Sequence, residues 1–134
     1  MADAAGQPPT NGASASSGSR PTISTHVLDT ERGAPAAGVR VTLYRLDVAD
    51  APIRMTQALT DDDGRVRDLV GRPLAAGEYR LEFDIAGRGE DGDDGDGPGF
   101  FRRLAIDLSI ADTARSYHVP LLLAPYSMTT YRGS

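Results

Sequence analysis

Arg103-Leu104-Ala105-Ile106-Asp107-Leu108-Ser109-Ile110 is the stretch that decides the fold class of this chain. Its large aliphatic residues fall on every second position, with Arg103, Ala105, Asp107 and Ser109 between them. Successive side chains of an extended strand point to opposite faces, so the alternation describes a strand with one buried and one wet face. The pattern returns upstream. Leu81, Phe83 and Ile85 alternate with Arg80, Glu82 and Asp84, and Val39, Val41 and Leu43 alternate with Arg40, Thr42 and Tyr44. Shorter strands are expected at 23–28, 54–60, 66–69, 118–123 and 128–131. Turn-forming residues separate them at Gly33-Ala34-Pro35, Asp61-Asp62-Asp63-Gly64 and Ala75-Ala76-Gly77. No stretch carries helical spacing, and seven or eight short strands with this punctuation describe an all-β, antiparallel sandwich. The run Val119-Pro120-Leu121-Leu122-Leu123 does not alternate, so both of its faces are expected to be covered, a second subunit being one available cover.

The 134 residues have room for one domain. Residues 1–20 consist mostly of Ala, Gly, Ser, Pro, Thr and Asn, with too little apolar surface to offset the entropy of ordering, and are expected to form a disordered tail ahead of a domain at 21–134. The tail has neither a basic start nor an apolar core, and the chain does not end in Ser-Lys-Leu, so the expectation is a cytoplasmic protein. No run of about twenty apolar residues is present, and no membrane span is expected. The net charge is −5, but five acids sit in Glu90-Asp91-Gly92-Asp93-Asp94-Gly95-Asp96, and the remaining 14 acids match 14 arginines. A nearly neutral body argues against nucleic acid as a partner. The acidic Gly-rich segment 87–99 lacks the D-x-D-x-D-G spacing of a calcium loop and reads as a solvated loop.

Chemistry is narrowed by what is missing. The chain has no lysine, which excludes Schiff-base catalysis, and no cysteine, which excludes thiolate nucleophiles, disulfides and Cys-ligated metals. The groups that titrate near neutrality reduce to His26 and His118, each set in strand-like sequence. A histidine in a strand is more often structural than catalytic, but two of them with nothing else able to act near pH 7 shift the balance toward function. Zinc would need three or four ligands, and no third histidine or carboxylate is paired with these two, so no metal is expected. A Ser-His-Asp triad is compatible with composition, although no G-x-S-x-G elbow accompanies it. The terminal Tyr131-Arg132-Gly133-Ser134 follows an apolar lead-in, and it reads either as a placed reactive end or as an ordinary edge-strand terminus.

Four motifs in order carry a family resemblance: Ile23-Ser24-Thr25-His26-Val27-Leu28-Asp29-Thr30, Thr60-Asp61-Asp62-Asp63-Gly64-Arg65, Tyr117-His118-Val119-Pro120-Leu121-Leu122-Leu123 and Tyr131-Arg132-Gly133-Ser134. Together they resemble the 5-hydroxyisourate hydrolases, the transthyretin-related enzymes of urate breakdown, over nearly all of 23–134. The resemblance implies a transthyretin-like β-sandwich assembled as a homotetramer, with active sites in a channel between dimers. It implies a cyclic amide hydrolase of purine metabolism that uses water and no cofactor to open 5-hydroxyisourate to 2-oxo-4-hydroxy-4-carboxy-5-ureidoimidazoline. The catalytic residues implied are His26, Arg65, His118 and Ser134, with Tyr131 and Arg132 helping to bind substrate. A neutral imidazole from His118 or His26 would activate the water, and a guanidinium such as Arg65 would stabilise charge on the carbonyl oxygen. Which histidine is the base, and what Ser134 does, stay open.

Three departures from the resemblance stand out. Segment 87–99 replaces the family's usual short helix with glycines and a late proline, so that helix is expected to be shortened or lost. Tyr126-Ser127-Met128-Thr129-Thr130 lacks the usual glycine and tyrosine before the terminal motif, and Arg102-Arg103 stands where relatives carry proline and an acid. The alternative from another class is a non-catalytic, transthyretin-like carrier of a small ligand, since fold alone does not separate carrier from enzyme. Retention of both histidines, Arg65 and Ser134 favours the enzyme.

Overall fold

A computed structural model of the chain describes residues 20–86 and 100–133. These residues form β1 (Ile23–Asp29), β2 (Ala34–Pro35), β3 (Arg40–Arg45), β4 (Ile53–Leu59), β5 (Arg65–Val66), β6 (Gly77–Asp84), β7 (Arg103–Ile110), β8 (Tyr117–Ala124) and β9 (Ser127–Thr130). One sheet runs β4-β3-β6-β7. The other runs β2-β1-β8-β9, with β5 pairing beside β2 on the free edge of β1. The stretch that decides the fold class behaves as its alternation requires. Leu104, Ile106 and Leu108 pack toward the core, Ile110 is buried, and Arg103, Ala105, Asp107 and Ser109 are exposed. On that exposed face Arg80 grips Asp107 with two hydrogen bonds, of 2.7 and 3.2 Å, and Ser109 donates to Glu78.

Between the sheets lies a core that includes Ile23, Val27, Val39, Val41, Leu43, Leu69, Leu81 and Leu121, with Tyr79 and Phe83 its largest fully buried side chains. Full burial of a side chain of this size contributes about 1.5–3 kcal/mol, which makes the core the main force holding the two sheets face to face. Tyr79 reaches through the core to a polar edge, where its hydroxyl donates to the Ala75 carbonyl at 2.5 Å. Buried Thr60 is fully engaged: its hydroxyl donates to the Ala36 carbonyl at 2.7 Å and accepts from the Val39 N–H at 2.9 Å. That staple fixes the point from which the chain leaves β4 and turns back toward β1.

Four sequence expectations need adjustment. Six of the seven described strand pairs are antiparallel, but β1 and β8 run parallel through Ile23↔Tyr117 to Asp29↔Leu123. Period-2 alternation fixes the face a residue occupies and carries no information on strand direction. The strand expected at 66–69 is the two-residue Arg65–Val66, and Leu69 is buried in a turn whose backbone Asp68 organises by accepting from Val70 and Gly71. Ala34–Pro35, read as punctuation, pairs with Leu28 and Asp29. Pro120 is buried on the outer side of β8 by the chain's own end, because Gly133 packs beside its ring, whereas Leu122 is half-buried. The expected tail at 1–20, apart from Arg20, lies outside the described residues, as do the acidic loop and the shortened helix expected at 87–99.

Gly64 is the backbone residue that the turn before β5 cannot replace. Its φ is +78°, and a Cβ there would run into the Val27 carbonyl, with Pro35 Cβ at 3.1 Å and Ala36 N at 3.2 Å. Gly38 has a similar φ of +77° and nothing within 4 Å of the same position. Gly64→Ala is therefore expected to cost at least about 2 kcal/mol in urea unfolding, against about 1 kcal/mol for Gly38→Ala. Equal costs would mean that the packing around Gly64 yields freely.

Candidate active site

The parallel β1–β8 ladder brings the two histidines to one surface. In β1, Ile23, Thr25 and Val27 are buried, while Ser24, His26 and Leu28 occupy the outer face and are half-buried. In β8, Tyr117, Val119 and Leu121 are buried, and the outer face carries His118, Pro120 and Leu122. The register pairs Ser24 with His118, His26 with Pro120 and Leu28 with Leu122, so the histidines stand diagonally across adjacent strands on one face. On the other side of β1, Arg65 of β5 is the register partner of His26. Arg65, His26 and His118 thus come from three strands of one sheet, and the residues between them in sequence complete the other sheet.

Arg65 is held by the turn that precedes it. The Asp61 carboxylate accepts from the Asp63 N–H at 2.9 Å and the Arg65 N–H at 3.0 Å, and the Asp61 N–H donates to the Arg65 carbonyl at 3.0 Å. These bonds, the one from Arg65 above all, hold the Asp61 carboxyl below its ordinary pKa. The Gly64 carbonyl accepts from the Val27 N–H at 2.7 Å and locks the turn to β1.

The same turn orients His26. Its Nε2 lies 2.8 Å from the Asp63 carbonyl oxygen. A carbonyl only accepts, so Nε2 carries the proton and the lone pair of a neutral His26 is on Nδ1. His118 is held from its other nitrogen: Nδ1 is 2.9 Å from Ser24 Oγ in a half-buried contact. Its backbone carbonyl accepts from the Gly133 N–H at 2.7 Å, which brings the chain end across the ring. A Cβ at Gly133 would lie 3.1 Å from His118 Cδ2 and 3.3 Å from Pro120 Cγ, closer than nearly all such contacts, so glycine allows this passage. Burial, followed by the electrostatic influence of Arg65 and of His26, holds His118 below the ordinary imidazole pKa of 6.5.

Tyr131 and Arg132 are exposed beyond β9, and Ser134 lies outside the described residues. Ser24 and Gly133 join the group, although in the sequence each stands only as part of a longer motif. The signal for Ser24 is the parallel register, which appears only once β1 and β8 are paired.

A half-buried imidazole kept neutral beside a guanidinium, on the outer face of a two-sheet β-sandwich, defines a site suited to acid–base chemistry on a polar substrate. The HIUase/Transthyretin family profile matches residues 23–133, and the chain belongs to that family. It is 42% identical over 116 residues to the 5-hydroxyisourate hydrolase of Deinococcus radiodurans, a match that spans 85% of this chain and 97% of that protein. The structure of Klebsiella pneumoniae 5-hydroxyisourate hydrolase superposes with a TM-score of 0.72 at 33% identity, covering 85% of this chain and 99% of that one. Sea bream transthyretin in complex with thyroxine shares the fold, with a TM-score of 0.72 at 24% identity over 83% of this chain and 93% of its own.

The electrostatic coupling in the site has a measurable sign. Arg65→Gln removes a positive charge that opposes protonation of His118, so His118 is expected to titrate at higher pH than in the wild type, followed through its ring-proton resonance. An unchanged titration would mean that Arg65 does not act on His118. For folding, the unfolded chain takes up this proton at higher pH than the folded one. The resulting stability is therefore fully present above 6.5 and is lost as pH falls through the folded value.

Proposed function

We propose that this chain is a 5-hydroxyisourate hydrolase, opening the six-membered ring with water to give 2-oxo-4-hydroxy-4-carboxy-5-ureidoimidazoline. The observation that carries the reading is the single outer face on which neutral-biased His118 meets Arg65 and His26. Family membership, with relatives of that name matched over most of their length, points the same way.

In this reading His118 is the general base. Its imidazole takes a proton from water as the oxygen adds to the ring carbonyl. Negative charge then gathers on the carbonyl oxygen, where the Arg65 guanidinium offers fixed donors. Collapse of the adduct breaks the ring C–N bond, and the proton held by His118 passes to the departing nitrogen. His26 has its Nε2–H committed to Asp63, so its share is a positive or hydrogen-bonding neighbour for the substrate, with Nδ1 as the free acceptor. Tyr131 and Arg132 as substrate-binding residues and Ser134 as a catalytic residue belong to the same proposal. The site lies on an outer face that Leu28 and Leu122 continue as half-buried apolar surface, and a homotetramer that pairs such faces would enclose the substrate.

The test follows the ultraviolet absorbance of freshly made 5-hydroxyisourate against its spontaneous decay. The wild type is expected to accelerate the loss, and His118→Ala to lower kcat on the order of 10²-fold or more. The acid limb of kcat/KM is expected below pH 6.5, because His118 stays neutral to lower pH than an ordinary imidazole. A wild type that leaves the spontaneous rate unchanged would overturn the reading and make ligand carriage the function to pursue.

A further inference from the structure

The Ser24 Oγ lies 2.9 Å from Nδ1 of His118. The contact is no accident of a mobile surface, because the parallel register sets Ser24 and His118 opposite each other and both are half-buried. We propose that Ser24 is a positioning residue for the reaction: its hydroxyl accepts from Nδ1–H of His118, and so fixes the tautomer whose Nε2 lone pair is free to take the proton from water.

This role of Ser24 rests on the hydrolase reading and follows from the hydrogen-bonding capacity of the two groups. A neutral imidazole has one N–H and one lone pair, whereas a serine hydroxyl can both donate and accept. Were Ser24 to donate to Nδ1, the only lone pair of His118 would already be occupied, and proton uptake would require that bond to break and reverse. With Nδ1–H donating to Ser24, the same bond serves the neutral ring and the imidazolium, and the ring need not move as the proton arrives. An orienting hydroxyl also differs from the carboxylate used with many catalytic histidines. It fixes the tautomer without adding a negative charge that would favour the protonated ring, in keeping with surroundings that already favour the neutral form. His26 is pinned the other way, through Nε2–H to the Asp63 carbonyl. The two histidines are thereby held in opposite tautomers.

The test uses the full chain with 15N-labelled histidine rings, observed by NMR above the titration of His118. There are only two histidines in the sequence, and His26→Gln assigns them. In the wild type, His118 is expected to show a protonated Nδ1 and an unprotonated Nε2. Ser24→Ala and Ser24→Val are expected to release the ring to the Nε2–H form and to lower kcat by about 10- to 100-fold, the size of effect that loss of an orienting partner has at metal-bound imidazoles, with KM little changed. Ser24→Thr, which restores a hydroxyl, is expected to restore both the tautomer and the rate. An Nε2–H ring at His118 in the wild type would overturn the proposal, as would wild-type kcat in both hydroxyl-free variants. A Ser24-dependent Nδ1–H ring in a wild type that does not hydrolyse 5-hydroxyisourate would uphold the contact and sink the hydrolase reading alone.

Discussion

Parallel pairing of β1 with β8 is the constraint on which the site depends. The two strands are far apart in sequence, and the chain between them builds the whole of the second sheet before returning. Such a pairing has a high loop-closure cost, offset by the side chains it buries: Ile23, Val27, Tyr117, Val119 and Leu121 all face the core along the ladder. Buried Thr25 secures its middle by donating to the Val119 carbonyl at 2.6 Å, and Thr30 closes its end on the Leu123 carbonyl through both N–H and hydroxyl. Core burial on one face thus sets the register of polar groups on the other. A slip of one residue in either strand would turn its histidine into the core and expose its aliphatic row.

The arrangement also explains how a sheet surface can hold an organised site. Each group is tied by a contact from a neighbouring element: Arg65 through the Asp61 turn, His26 through the Asp63 carbonyl, and His118 through Ser24 and the Gly133 strap. Most of these contacts involve backbone atoms, which the ladder and the turn hold rigid. The outer face of the other sheet is organised differently. There Arg80 pairs with Asp107, Arg103 with Glu82 and Arg40 with Asp84, a set of exposed ion pairs worth little each and typical of a solvated surface.

Much of this was legible in the sequence where one residue type has one physical meaning. Alternation at 39–44, 80–85 and 103–110 marked strands and their buried faces, and Asp61-Asp62-Asp63-Gly64 marked a turn, because both signals are local. The removal of lysine and cysteine left His26 and His118 as the groups able to act near neutrality. Strand direction was not legible, since a parallel and an antiparallel partner impose the same alternation on β1 and β8. Ser24 stayed hidden for the same reason: its meaning comes from the residue opposite, and that residue is known only from the register. Ala34–Pro35 and Arg65–Val66 are too short to show any period, and their pairing is set by the turns that deliver them to the edge of β1.

In the proposed chemistry, this register makes His26 and His118 parts of one catalytic unit. A double-mutant cycle on kcat/KM for 5-hydroxyisourate tests it most directly, using His26→Ala, His118→Ala and the double variant. Residues that act as a unit lose most of their effect together, so the double variant is expected to be about as slow as the slower single one. Losses that multiply would show two independent groups and contradict the account.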